Sequence, residues 1–258
     1  MNASAEQWVK VFNGESKPTG EGGRNSNNMR PIVLVCEHAS NFVPPNFNGL
    51  GLSEKQLQSH IAWDPGALDT AKLMVSKLGA TLVASEVSRL IYDCNRPPHS
   101  STAIPLSSEQ QSIPGNSSIT AADKEQRVET YYRPFEAALT QCIDSLVSPL
   151  VVTIHSFTPV YLGKKRDVEI GVLYDTDQRF ADAFMRQAGD QPRFNIQRNQ
   201  PYAPKDGVTH TLTHHALSRG LLNVMLEIRN DLISTLEQQQ EMAAYLANLI
   251  DLSLSESN

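Results

Sequence analysis

Three apolar runs in this chain each stop at a side chain capable of acid–base or metal chemistry. Pro31-Ile-Val-Leu-Val-Cys36 runs into Glu37-His38, Val151-Val152-Thr153-Ile154 into His155, and Leu222-Asn223-Val224-Met225-Leu226 into Glu227. Short unbroken apolar runs bounded by polar segments read as strands buried on both faces, which requires helices on both sides of a sheet. In open α/β sheets, ligands gather outside the carboxyl ends of the strands. One edge of a sheet is therefore the place where a site is expected.

The remaining signals alternate between strand and helix, the pattern of a central mixed, mostly parallel sheet with helices on both faces. Ser53-Glu54-Lys55-Gln56 is a helix-capping sequence, and Pro65-Gly66-Ala67 opens a helix over Leu68–Lys77 that Gly79 closes. Strands are predicted at 80–85, 169–174 and 194–198, with a further short one at 88–93. Helices are predicted at 179–189, at 208–219 before Gly220, and at 232–252. Residues 119–146 read as one amphipathic helix that Pro134 kinks or splits. Residues 97–118, rich in Pro, Ser, Gly and Gln, form a long loop of the kind that covers a substrate. No repeat divides the chain, so a single domain is predicted over 31–252. A flexible or loosely docked lead-in occupies 1–30, where Trp8, Val9, Val11 and Phe12 can anchor a short element, and residues 253–258 are expected to fray.

Composition narrows the partners. A net charge of −6 argues against broad binding to nucleic acid or an anionic membrane. No apolar segment has the length of a signal core or a membrane span, so a cytoplasmic protein is expected. Cys36, Cys94 and Cys142 are too few and too scattered for a disulfide framework.

His38 and His155 occupy equivalent positions at the ends of two strands. Either alone is ordinarily a structural histidine bonded to a carbonyl, but two that meet in space can hold zinc, which in catalytic sites takes three protein ligands and an open position. Asp64 is preferred as the third ligand, although before a helix it can equally be an N-cap; Glu37 is the alternative and Asn41 a more distant one. Glu227 at the end of a buried strand needs either an arginine partner, such as Arg229, or a role as general base. Arg89, Asn95 and Arg96 cluster around one short apolar element, and arginine's planar fork suits a carboxylate. Arg229 can add positive charge there. His210 and His214 share a helical face, where helix-surface or substrate-contact roles outweigh metal binding. No Gly-x-Ser-x-Gly, Gly-x-Gly-x-x-Gly or phosphate-loop sequence is present.

Several of these stretches occur together in a recognisable order. Val35-Cys-Glu-His-Ala-Ser40, His60-Ile-Ala-Trp-Asp-Pro-Gly-Ala67, Ser88-Arg-Leu-Ile-Tyr-Asp-Cys-Asn-Arg-Pro-Pro98, Ile113-Pro-Gly-Asn116 and Glu227-Ile-Arg-Asn-Asp-Leu232 resemble the N-formylglutamate amidohydrolase family over residues 31–249. That family is similar to the zinc carboxypeptidases and aspartoacylases. The resemblance implies a zinc-carboxypeptidase-like α/β fold and a metal, zinc or another divalent ion, that activates water against an amide. It implies His38 and His155 as metal ligands, Glu227 as general base, Arg89 as the group polarising the scissile carbonyl, and Asn95-Arg96 as the grip on a substrate carboxylate. One position departs from the pattern: three residues after His38, where carboxypeptidase-like sites carry a glutamate ligand, the residue is Asn41. Asp64 or Glu37 must substitute, or the metal is weakly held. The expected protein is a metal-dependent amidohydrolase of a small anionic N-acyl amino acid, such as N-formylglutamate. The alternatives are a metallocarboxypeptidase or peptidoglycan-type amidase, and a binding protein that has lost the metal.

Overall fold

In the computed structural model, residues 7–14, 30–98 and 100–256 are described. Eleven strands occur among them: β1 (Val9–Asn13), β2 (Ile32–Cys36), β3 (Thr81–Ser85), β4 (Ser107–Ser108), β5 (Gln111–Ser112), β6 (Leu150–Phe157), β7 (Val160–Tyr161), β8 (Lys164–Lys165), β9 (Ile170–Leu173), β10 (Ile196–Arg198) and β11 (Asn223–Arg229). Seven of them build the central sheet in the order β1-β3-β2-β6-β11-β9-β10. The neighbours β3, β2, β6 and β11 run parallel, so their carboxyl ends share one edge. β1 is antiparallel to β3, and β9 is antiparallel to β11, which makes the sheet mixed. β4 with β5 and β7 with β8 form two small hairpins outside it.

Alternate residues of each central strand feed opposite cores, as the pleat demands. Ile32, Leu34 and Cys36 join Val152, Ile154, Val224 and Leu226 beneath the helices α2 (Ala67–Leu78), α5 (Arg179–Asp190) and α6 (Leu236–Glu256). Val33, Val35, Val83 and Val151 pack on the other face against Tyr131, Tyr132, Phe135, Leu139 and Ile143. These belong to a helical run made of α3 (Ala121–Arg127), a π-turn (Val128–Tyr132) and α4 (Arg133–Asp144). The predicted α/β architecture with both sheet faces covered is thus present. The four-residue α1 (Glu54–Leu57) carries the capping box expected from Ser53 and Gln56.

Several boundaries differ from expectation for identifiable reasons. Residues 88–93 are turns rather than a strand, because the Ser88 hydroxyl donates to the Ala62 carbonyl and accepts from Leu90 N, which competes with sheet pairing. The 119–146 run is divided, as expected near Pro134, into α3 and α4 by the π-turn. Pro134 lies in the first turn of α4 after the π-turn, where its missing N–H is tolerated. The helix expected at 208–219 is a π-turn (Leu212–Ala216) and a 3₁₀ turn (Leu217–Arg219) closed by Gly220. α6 begins four residues late, where Thr235 and Gln238 form a capping pair, and extends to Glu256 because Leu254 is buried in the core. Residues 253–256 are therefore helical; 257–258 lie outside the described residues. Of the predicted lead-in, Val9–Asn13 is an edge strand with Trp8 buried, while 1–6 and 15–29 lie outside the described residues. Among the described residues no helix is long and apolar enough to cross a membrane.

Candidate active site

The carboxyl edge of β2, β6 and β11 brings the expected residues together. β6 and β11 are in parallel register with Glu227 opposite His155, and β2 ends one residue before Glu37. Asp64 arrives from the turn before α2, where Asp64 N donates to the His38 carbonyl at 2.9 Å. That turn needs Gly66, whose φ is +80° and whose added Cβ would lie 2.4 Å from the Ile233 carbonyl oxygen.

His38, Asp64 and His155 form a buried group whose potential ligand atoms lie within 4.8 Å of one another. His155 Nδ1 is 2.9 Å and His38 Nδ1 is 3.3 Å from Asp64 Oδ2. The far nitrogens are held by carboxylates: His38 Nε2 lies 2.7 Å from Asp93 Oδ1, and His155 Nε2 lies 3.1 Å from Glu37 Oε2. His38 Nε2 hydrogen-bonds Asp93, so its Nδ1 lone pair faces Asp64 Oδ2, which also only accepts; His155 hydrogen-bonds Asp64 through Nδ1, and its Nε2 meets Glu37 as a close charge contact in which neither atom has a hydrogen-bond partner. Such acceptors call for a proton or a cation, and the Arg89 guanidinium, 3.2 Å from His38 Nδ1, already supplies one positive charge at the edge of the group. The field agrees: burial alone would lower the His155 pKa, but Glu37 and Asp64 hold it well above its ordinary value. His38 is likewise raised, against its burial, by Asp93 and Asp64. The donor set fits a divalent metal with N/O ligands, and its carboxylate–histidine backing is the arrangement metal sites use to orient imidazoles.

Glu37, the alternative third ligand, stands behind His155 on the opposite ring nitrogen from Asp64. Asn41 faces away, its amide donating to the Leu57 carbonyl at 3.2 Å. With Asp64 in the cluster, Asn41 no longer favours a protein that has lost its metal.

Glu227 is buried beside this group, its Oε2 without a hydrogen-bond partner. Burial, reinforced by the Asp64 charge and opposed by His155, pushes its carboxyl up to about 7. That is the range in which a carboxylate can both accept and return a proton near neutrality. Arg89 places Nη1 3.0 Å from Asp64 Oδ1 and 3.2 Å from His38 Nδ1. Its other donors clamp the 60–64 turn through the carbonyls of Ile61, Trp63 and His60. The neighbouring His60, which carried no separate signal in sequence, is kept neutral by burial and by Arg89, its pKa lowered to about 3.

A cavity of about 500 Å³ opens over these residues, walled by His38, Asp64, Arg89, Arg96, His155 and Glu227 and by part of the 97–118 segment. That segment is tied to the body of the protein: Asn116 bonds the Leu90 and Pro105 carbonyls and accepts from the buried Arg127. Three of the expected substrate contacts have protein partners of their own. Asn95 lies in the wall, but its amide donates to the Val208 carbonyl and accepts from Thr211 N, so it clasps the 208–211 segment. Arg229 pairs with Asp231 and Glu169 and is not among the lining residues. His210 is bonded to the Tyr132 hydroxyl at 2.9 Å and is likewise outside the wall. Arg96, like Arg89, is among the lining residues. Asp93, which no sequence argument singled out, holds His38.

His210 and His215 yield a stability prediction. Burial first, and then His214, lowers the pKa of each to about 4. The unfolded chain takes up these protons near pH 6.5 and the folded chain does not, so their contribution is whole above 6.5 and is lost as pH falls toward 4. The thermal midpoint of chelator-treated protein should drop over that interval, and less steeply in His215→Asn. Equal steepness in the variant would dissociate His215 from the acid sensitivity.

A buried His-Asp-His group backed by carboxylates, beside an unpartnered glutamate at the carboxyl edge of a mixed sheet, defines an α/β enzyme with a candidate metal centre. Residues 30–234 match the N-formylglutamate amidohydrolase family, and the chain belongs to it. It is therefore a hydrolase of carbon–nitrogen bonds. The crystal structure of gene product Atu2144 from Agrobacterium tumefaciens is 46% identical with a TM-score of 0.87, over 96% of this chain and 95% of that one. The N-formylglutamate amidohydrolase from Ralstonia eutropha JMP134 is 19% identical with a TM-score of 0.58, over 97% of each chain, a likeness of fold. No curated protein matches the chain.

Proposed function

We propose that this protein is a zinc-dependent amidohydrolase that removes the formyl group from a small N-formyl amino acid. The observation that carries the reading is the convergence of His38 Nδ1, His155 Nδ1 and Asp64 Oδ2 beside the unpartnered Glu227. When bound by His38, Asp64 and His155, zinc supplies Lewis acidity and makes water more acidic. Glu227 takes a proton from the attacking water as its oxygen bonds to the formyl carbon. Arg89 sets a fixed positive charge beside the oxyanion that develops, an effect commonly worth a few kcal/mol. The C–N bond then breaks, and Glu227 returns the proton to the leaving amine, giving formate and the free amino acid. Arg96 takes the substrate carboxylate. Asp93 and Glu37 keep the imidazoles turned with Nδ1 toward the centre.

Protein purified without chelators should contain about one equivalent of zinc and release formate from N-formyl amino acids. Dialysis against a chelator should abolish turnover and added zinc should restore it. Zinc far below one equivalent, with no rescue, would overturn the reading.

A further inference from the structure

The mouth of the cavity has features that the proposed chemistry does not use. Eight large apolar side chains are exposed among the described residues, and half of them, Leu106, Val160, Tyr161 and Leu162, lie on or next to the β4–β5 and β7–β8 hairpins. Leu106 and Tyr161 themselves line the cavity. Exposed apolar side chains such as these two, on the wall of a pocket, mark a surface that apolar groups cover.

The positive charge has the opposite distribution. Among the described lining residues the arginines are Arg89 and Arg96, and no lysine is present. Arg89 is engaged with Asp64 and the 60–64 turn. Arg96 has its nearest acid, Asp93, at 4.0 Å, and so can take one carboxylate. Arg166 is not a lining residue: its guanidinium lies 4.6 Å from the Tyr161 ring and 5.2 Å from that of Tyr202, and it donates to the Tyr202 hydroxyl and the Thr158 carbonyl. Arg229 is paired elsewhere. A second carboxylate entering the cavity would meet no further arginine or lysine among the described lining residues, and Glu109 stands in the wall. Burying an unpaired charge is costly, whereas an apolar side chain gains with the area it covers.

We propose that the cavity selects N-formyl amino acids bearing a single carboxylate and an uncharged, apolar side chain, seated against Leu106 and Tyr161, and disfavours the dicarboxylate N-formylglutamate. This rests on the amidohydrolase reading above.

The test compares N-formyl-L-glutamate, N-formyl-L-glutamine and N-formyl-L-leucine with zinc-loaded protein. Glutamine keeps the shape of glutamate without its second charge. The kcat/KM for the glutamine and leucine substrates should exceed that for glutamate by at least about tenfold. Leu106→Lys, which adds a cation to the wall, should move the glutamate-to-leucine ratio toward glutamate by about the same factor. Glutamate equal to or better than the other two, or an unmoved ratio in the variant, would overturn the preference. Turnover of none of the three would overturn the amidohydrolase reading instead. Calorimetric binding of L-leucine and L-glutamate then decides the preference: tighter leucine supports it and tighter glutamate overturns it.

Discussion

Glu227→Gln is expected to lower kcat by roughly 10²- to 10⁴-fold, the range spanned by general acid–base catalysis, without lowering the thermal midpoint. The substitution keeps the side chain's shape and removes only its capacity to carry a proton. Glu227 is buried, and Oε2 has no hydrogen-bond partner, so glutamine sacrifices no bond of that oxygen. Neutralising a buried carboxylate also removes a desolvation penalty, which is why stability should hold or rise. Zinc content measured alongside kcat separates the possibilities. Turnover lost with zinc retained assigns Glu227 to proton transfer. Near-normal kcat would eliminate it as the base, and a fall in midpoint equal to the fall in activity would make it structural.

The parts of this site that local sequence reveals are those whose geometry is local. An apolar strand ending in His38, or running through His155 and Glu227, needs only the pleat and the parallel sheet to deliver its polar residue to the shared edge. Asp64 is a tertiary result. Its identity depends on the backbone bond from Asp64 N to the His38 carbonyl and on Gly66 passing close to Ile233, neither of which spacing can reveal. The roles of Glu37 and Asp93 are more distant still. Glu37 is adjacent to one histidine in sequence and braces the other, while His38 is braced from 55 residues away. Asn95 and Arg229 have the right chemistry to hold a carboxylate, but nearby partners already satisfy them. Residue type suggested the role, and only the tertiary structure shows which protein groups compete for these side chains. The late start of α6 was legible in principle, since Thr235-x-x-Gln238 is the same signal as Ser53-x-x-Gln56.

Asp64→Asn and Glu37→Gln should separate an inner ligand from the group behind it. Asp64 faces the Nδ1 atoms of both histidines and the Arg89 guanidinium, so its neutralisation should weaken zinc binding by more than about a hundredfold, beyond what outer partners contribute. It should also destabilise the metal-free protein, because the partly buried Arg89 guanidinium then loses its carboxylate. Glu37 meets His155 at the far nitrogen and lies outside the His38, Asp64 and His155 group. Its replacement should weaken zinc binding by about 10- to 100-fold and leave Arg89 paired. Zinc affinity read by chelator competition and unfolding read by denaturant titration give two independent orderings. If Glu37→Gln proved the more damaging to zinc, the inner ligand would be Glu37, and His155 would have to bind through Nε2. A coincidence of the two variants in both measurements would mean that the pair acts as one charged unit around His155, with no distinct inner position.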